Sequence, residues 1–338
     1  MGLKLGKLIP KQVIKFEDLN NKKIGIDFSN VAFQFLSNIR QRDGTPLMDS
    51  HGNVTSHLMG IFTRSLNLMQ KNLKLAYIFD GRPPALKFEE KAKRELRKQE
   101  AQEKYDHALK NDLKDELLKY AKRTSRLNQD MVDEAKELIK AMGLPVIQSP
   151  AESDAQGSYM AKQGDIWAFS SSDHDCLLYS CPRILPNLTL TDKRKLPNGK
   201  YVITQQYLIE HQQVLNELNL NQDQLISLAI LIGTDYNIQG VPGIGPKRAL
   251  DLVKKHKTPE AVFNNVKHDF DWKQIYDIFT KMKVKADYNL EWKPLDKEKV
   301  IKLLVDKHDF SLERIEALLS KENKDKKPTK DNSLSKWI

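Results

Sequence analysis

Apolar residues in this chain come in short blocks that stop on an acid. "KKIGID" runs to Asp27, "KLAYIFD" to Asp80 and "DIWAFSSSD" to Asp173, while "GLPVIQSPAESD" leads into Glu152 and Asp154. Blocks of this length and composition predict strands. Between them, "VTSHLMGIFTRSLNLMQ" and "NQDMVDEAKELIKAMG" repeat their apolar residues at the helical period, the second closing on Gly143 as a stop. Alternating strands and helices imply an α/β fold with a mostly parallel central sheet flanked by helices. In such sheets ligands collect beyond the carboxyl ends of the strands, which is where the acids fall.

Three stretches depart from this pattern. Residues 87–126 hold 13 Lys/Arg and nine Asp/Glu with few large apolar residues, so they predict exposed helices that bury little. "TLTDKRKLPNGKYVI" predicts a hairpin turning at Asn198-Gly199. From Lys321 onward the chain has the polar composition of a disordered linker, yet its last residues, "SLSKWI", end on two large apolar side chains. No internal repeat is apparent.

Composition narrows the class. With 338 residues, 40% of them apolar, the chain is long enough for one large domain or two ordinary ones. The formal net charge of +10 favours a polyanionic partner such as nucleic acid, although many basic proteins bind none. The two cysteines, Cys176 and Cys181, lack the partners of a zinc site or a disulfide framework and read as reduced packing residues in a cytosol-like compartment. No apolar stretch nears the roughly 18 residues that span a bilayer, "MGLKLGKLIP" has no signal-peptide core, and Gly6 stands where a myristoylation signal needs Ser or Thr. The expectation is a soluble protein with no membrane partner.

The acids carry the chemistry. Asp27, Asp80, Glu152, Asp154, Asp173 and Asp175 lie at or just after strand ends, and Asp235 follows an apolar, helix-like run in "AILIGTDYN". Two like charges about 4 Å apart repel by roughly 4 kcal/mol at an effective dielectric near 20. Seven at one end of a sheet therefore need cations or protons among them. Ligands that offer only oxygen favour Mg²⁺ or Mn²⁺ over zinc, and two such ions are the usual apparatus for in-line displacement at a phosphodiester. Taken singly, each acid could be no more than a helix cap or a solvated turn residue. An EF-hand does not fit, because no twelve-residue loop with a central glycine and terminal glutamate surrounds the pair Asp173 and Asp175.

"GVPGIGPKRALDLVKK", residues 240–255, superficially resembles a phosphate loop, but Pro246 separates Gly245 from Lys247 and no Ser/Thr follows. Gly243 and Gly245 instead allow a tight turn, Pro246 suits a first helical position, and Lys247 and Arg248 add charge beside outward-facing amides. This is the chemistry of a helix-hairpin-helix that grips a DNA backbone without reading bases, with an ordinary helix–helix turn as the alternative. Its carbonyls could also hold a monovalent cation.

The acids in order, the charged helices after the second of them and the glycine hairpin together resemble the structure-specific 5′ nucleases, most closely an archaeal-type flap endonuclease. The stretches that carry the resemblance are "YIFDGRPP", "DGTPLMDSHGNVTSHLMG", "SPAESDAQ", "SSDHDCLLY", "IGTDYN" and "GVPGIGPKRAL", and they cover nearly the whole chain. The resemblance implies a PIN-like nuclease domain over residues 1–320, with a helical arch at 83–127 and a helix-hairpin-helix at 236–256. A flexible tail, 321–338, would follow. Asp27, Asp80, Glu152 and Asp154 would hold the first of two Mg²⁺ ions and Asp173, Asp175 and Asp235 the second, Mn²⁺ substituting. Asp154 stands where the family typically has glutamate, one methylene longer. Lys87 and Arg94 would face the scissile phosphate from the base of the arch and stabilise charge on its oxygens. Phe33, where the family usually has tyrosine, would stack on a base near the cut, and Gly2 would lie close to DNA.

The tail "DNSLSKWI" resembles the segment by which such nucleases dock on the replication sliding clamp. Leu334, Trp337 and Ile338 would form one apolar turn, although Asp331 replaces the usual glutamine and Ile338 the final aromatic. The implied protein is a monomeric, cytoplasmic, nucleoid-associated enzyme. It would cut branched DNA at the base of a 5′ flap in Okazaki fragment maturation and repair, with 5′ to 3′ exonuclease activity as a further capability. Two alternatives stay open: an exonuclease on nicked DNA or RNA, and a non-catalytic DNA-binding scaffold on a nuclease fold.

Overall fold

A computed structural model of the chain describes residues 6, 8–41, 44–111, 116, 120, 124, 126–188, 193–195, 201–203 and 205–324. Gly2, the Asn198-Gly199 turn, most of 112–125 and the tail residues Leu334, Trp337 and Ile338 lie outside the described residues.

The acid-terminated blocks are strands. After β1 (Gln12–Ile14), β2 (Lys23–Asp27) ends on Asp27, β3 (Lys74–Phe79) stops one residue before Asp80, β4 (Val146–Gln148) leads into Glu152 and Asp154, and β5 (Ala168–Ser170) into Asp173 and Asp175. β6 (Arg183–Ile184), a small separate hairpin of β7 (Lys193–Lys195) and β8 (Tyr201–Ile203), and β9 (Gln206–Glu210) follow. The main sheet runs β1-β9-β6-β5-β2-β3-β4, parallel from β6 to β4 and antiparallel at β9 and β1. The chain begins this parallel block at β2, builds outward through β3 and β4, then recrosses to lay β5 on the other side of β2. Connections leaving β2 and β5 diverge there, and the crevice they open at the carboxyl ends is where ligands bind in such sheets.

Helices cover both faces. α1 (Phe28–Asn38), α2 (Ser56–Gln70) and, after the charged α3 (Phe88–Lys110), α4 (Gln129–Ala141) pack on one side. α5 (Ser153–Gln163), α6 (His211–Leu218), α7 (Gln222–Ile232), α8 (Pro246–His256), α9 (Pro259–Asn264) and α10 (Trp272–Lys281) pack on the other. The strand period of two decides which side chain goes where: Leu75, Tyr77 and Phe79 of β3 enter the first core, Ala76 and Ile78 the second. The helix predicted over "NQDMVDEAKELIKAMG" is α4, capped by Asn128, whose side chain accepts from Met131 N at 2.9 Å, and Gly143 beyond its end adopts φ +74°.

Two helices flank the glycine turn: α7, whose residues from Leu225 to Ile232 are all buried, and α8. Gly240 and Gly243 take the left-handed conformation at φ +61° and +75°, and Gly245 leads into Pro246 at the first position of α8. A side chain at Gly240 would collide with the carbonyl of Leu231, whereas Gly243 and Gly245 look into open space, leaving their backbone approachable from outside.

Candidate active site

Local rules explain the first placements. Asp27 is the N-cap of α1, accepting from Asn30 N at 3.1 Å, and Asp173 caps the turn 174–177 through Asp175 N at 3.1 Å. Asp80 caps a helix it does not belong to: its Oδ1 accepts from Ser153 N, the first residue of α5, at 2.8 Å. That contact depends on a close passage of two chain segments, because a Cβ at Gly81 would lie 2.2 Å from the Ser149 carbonyl oxygen. The capping alternative is thus true of three acids, and those caps turn the strand-end residues toward one crevice. Glu152, Asp154, Asp175 and Asp235 cap nothing by their side chains.

All seven predicted acids gather at this end of the sheet, at very different depths. Asp27, Glu152 and Asp175 are buried, Asp154, Asp173 and Asp235 are half-buried, and Asp80 is exposed. Burial, with Asp80 and Asp173 close by, pushes the Asp27 carboxyl up to about 7 against the hydrogen bonds from Asn30 and Ser171. Asp154 and Asp175 are raised well above the ordinary range, each first by burial and then by neighbouring carboxylates: Asp27 and Asp173 for Asp154, Asp173 and Asp235 for Asp175. Oδ1 of Asp175 is buried with no hydrogen-bond partner. The thiol of Cys176 donates to Asp154 Oδ1 at 3.1 Å, and the Ser171 hydroxyl to Asp27 Oδ2 at 3.3 Å.

Two cations that follow β3, Lys87 and, on α3, Arg94, reach into the cluster. Lys87 Nζ is hydrogen-bonded to Glu152 Oε1 and lies 3.1 Å from Asp235 Oδ2. Burial alone would lower the Lys87 ammonium, but the carboxylates of Glu152 and Asp235 hold it well above its usual value. Arg94 donates to the same Asp235 oxygen at 3.0 Å and to Glu90, a buried acid one turn earlier on α3. Among the described residues no three His, Cys, Asp or Glu side chains are already drawn together closely enough to hold one ion. Of the seven acids, Glu152 and Asp235 lean instead on Lys87 and Arg94.

Phe33 stays out of the core at 38% exposure, with Lys98 Nζ of α3 5.1 Å from its ring centre, while Lys247 and Arg248 are exposed at the start of α8. The sequence pattern missed Glu90, Ser171 and the two tyrosines that bond to Glu152. Tyr179 donates to Oε2 at 3.0 Å and Tyr236 donates to the same oxygen. Tyr179 and Tyr236 fall within "SSDHDCLLY" and "IGTDYN", but no periodicity marks them.

Fold and site together define the class, an XPG-type nuclease. The XPG N-terminal domain matches residues 1–101 and the XPG I-region residues 143–235. Flap endonuclease 1 of Pyrococcus abyssi is 47% identical over 100% of this chain and 98% of its own length, and that of Hyperthermus butylicus 45% identical over 95% and 94%. The solved flap endonuclease-1 from Methanococcus jannaschii superposes with a TM-score of 0.75 at 38% identity, covering 95% of this chain and 98% of that one. The catalytic core of Rad2 with DNA substrate shares the fold, with a TM-score of 0.70 at 21% identity over 95% of this chain and 100% of that one. The chain belongs to the flap endonuclease 1 family.

Proposed function

We propose that this protein is a structure-specific endonuclease that hydrolyses one phosphodiester at the base of a 5′ single-stranded flap on branched DNA. The released flap would carry a 3′-hydroxyl and the remaining strand a 5′-phosphate, a nick that a ligase can seal during replication or repair. The observation that carries the reading is the crevice at the strand ends. Seven carboxylates line it, Lys87 and Arg94 stand among them, and the family likeness spans the whole chain.

Two features support a divalent cation there: the seven grouped acids offer only carboxylate oxygens, and Asp175 Oδ1 lacks a partner although it is buried. Asp27, Asp80, Glu152 and Asp154 would hold one ion and Asp173, Asp175 and Asp235 a second, Mg²⁺ or Mn²⁺, together supplying an activated water and charge neutralisation at the scissile phosphate. This chain's own cations complete the clamp. Lys87 and Arg94 already sit among the acids with donors to spare, and a phosphate oxygen arriving beside them would exchange a carboxylate contact for a phosphate one. Phe33 offers a ring face to a base near the cut, and Lys98 beside it favours the adjacent phosphate. Duplex DNA would rest its backbone on the amides of Gly243 and Gly245 and on Lys247 and Arg248. The Arg248 guanidinium donates to the Gly243 carbonyl at 3.4 Å, so a monovalent cation at the hairpin would compete with it. The motif "SLSKWI" would add docking on a sliding clamp.

The direct test is cleavage of a labelled 5′ flap, a nicked duplex and a matched single-stranded RNA, with Mg²⁺ and then with chelator. Cutting at the flap base that chelator abolishes is the expected result. No cutting of any substrate would leave the scaffold alternative, and preference for the nick or the RNA would favour an exonuclease.

Two further outcomes follow from the charges. Replacing Lys247 and Arg248 by alanine should weaken binding evenly across flap sequences and flatten the plot of log affinity against log salt by about two units of slope, roughly 0.9 for each lost phosphate contact. An unchanged slope would remove the hairpin from the interface. The second outcome concerns pH. A carboxyl raised in the folded state favours folding below its unfolded value, 3.8 for Asp27, and loses that contribution as pH rises through about 7. In chelator the melting temperature should therefore gain least at the upper end of this window. Mg²⁺, which favours ionised carboxylates, should raise the melting temperature more at pH 8 than at pH 5, and equal shifts would contradict the assignment.

A further inference from the structure

We propose that Tyr179 and Tyr236 form a paired clamp of positioning residues that fixes the Glu152 carboxylate, and thereby sets the affinity of the acidic crevice for divalent cations. This inference rests on the nuclease reading above and concerns residues that neither the acids nor the arch account for.

Glu152 occupies the N-cap position of α5, but its side chain makes no capping bond, so nothing local holds its carboxylate. Its orientation is fixed from across the fold. Both phenols donate to one oxygen, Oε2, and their own oxygens lie 3.2 Å apart, while Oε1 faces Lys87. A carboxylate oxygen offers two lone-pair sites, and two phenolic donors use both, so Oε1 is left as the only oxygen of Glu152 able to face a cation. The donors come from separate elements. Tyr179 follows the turn that carries Asp173 and Asp175, and Tyr236 is the neighbour of Asp235 beyond α7. Their rings share a support, Phe279 of α10, with ring centres 5.2 and 5.5 Å away. Both are buried, at 5% and 8% exposure, so water does not compete for the hydroxyls. The pair therefore ties an acid assigned to one ion to the segments bearing the acids assigned to the other.

Removing the hydroxyls keeps the rings and their packing but releases Oε2, so the Glu152 carboxylate is free to rotate away from the crevice or to give both oxygens to Lys87. Partners that orient a ligating carboxylate typically contribute about 10- to 100-fold to metal affinity. The test uses the full chain with Tyr179→Phe, Tyr236→Phe, the double variant, Glu152→Gln, and Tyr276→Phe as a control. Tyr276 donates to Asp223 at 2.6 Å, outside the crevice. Mn²⁺ binding without DNA is read from the paramagnetic resonance signal of the free ion, and flap cleavage is followed against Mg²⁺ concentration. The double variant should need at least about tenfold more Mn²⁺ for half occupancy. It should recover its rate at high Mg²⁺ and keep the KM for flap DNA, while Tyr276→Phe should match the wild type.

Unchanged Mn²⁺ affinity overturns the proposal, as does a lower melting temperature with unchanged affinity, the mark of a merely structural role. Should the double variant fail to fold, the single variants decide by the same readings. If Glu152→Gln binds Mn²⁺ and cuts like the wild type, the nuclease site itself is wrongly assigned. If Glu152→Gln is impaired and the tyrosine variants are silent, only the clamp falls.

Discussion

Replacing Asp175 with asparagine should reduce flap cleavage by about 100- to 1,000-fold, the range for removing one group that stabilises charge in a transition state. The same change should leave the metal-free protein as stable as the wild type, or more so. Asp175 is buried, its Oδ1 has no partner, and Asp173 and Asp235 push its carboxyl upward together with burial. Asparagine keeps the volume, loses the repelled charge and can donate to those carboxylates. Stability stored against function in this way is a common trait of active sites. Flap cleavage and a melting curve in chelator check both halves, and a variant that cuts at the wild-type rate would refute the role given to Asp175.

Replacing Lys87 with methionine should impair the enzyme by a different route. On the proposed role of Lys87 as a cation beside the scissile phosphate, the rate should fall by about 100- to 1,000-fold. Here the metal-free protein should become less stable, by about 1–3 kcal/mol, because Glu152 and Asp235 are left without the ammonium that bridges them. Methionine fills the same space, so the loss cannot be laid to a cavity. The two variants thus predict opposite shifts in melting temperature beside similar losses of activity. Parallel shifts would mean that Lys87 does not neutralise these acids in the DNA-free protein.

The acids were legible because they fall at or soon after the ends of apolar runs. A strand of five or six residues with a charge at its carboxyl end is a local event, and "KKIGID" and "KLAYIFD" display it without reference to the rest of the chain. The glycine hairpin was legible for a similar reason, since Gly243, Gly245 and Pro246 constrain their own backbone. The helix before it, α7, was harder to assign, because Leu225 to Ile232 are buried all round and so nearly apolar a run carries no amphipathic stripe. The capping alternative could not be separated from the metal reading at that level, and the fold shows why: Asp27 and Asp173 cap their own helix and turn, and Asp80 caps α5, within the same crevice.

Taken alone, the sequence determines the elements, the acids at their ends and the positive charge that suits a phosphate backbone, because these follow from periodicities of two and 3.6 and from backbone restrictions at glycine and proline. Only the tertiary structure decides how the acids are shared out. It buries Asp27, Glu152 and Asp175 while leaving Asp80 in solvent, drops Lys87 and Arg94 among them, and brings Tyr179 and Tyr236 to one oxygen of Glu152, 27 and 84 residues away along the chain. The physical reason is that depth, pairing and desolvation depend on the order in which strands lie side by side. β5 returning to the far side of β2 is a choice made by packing the whole chain at once.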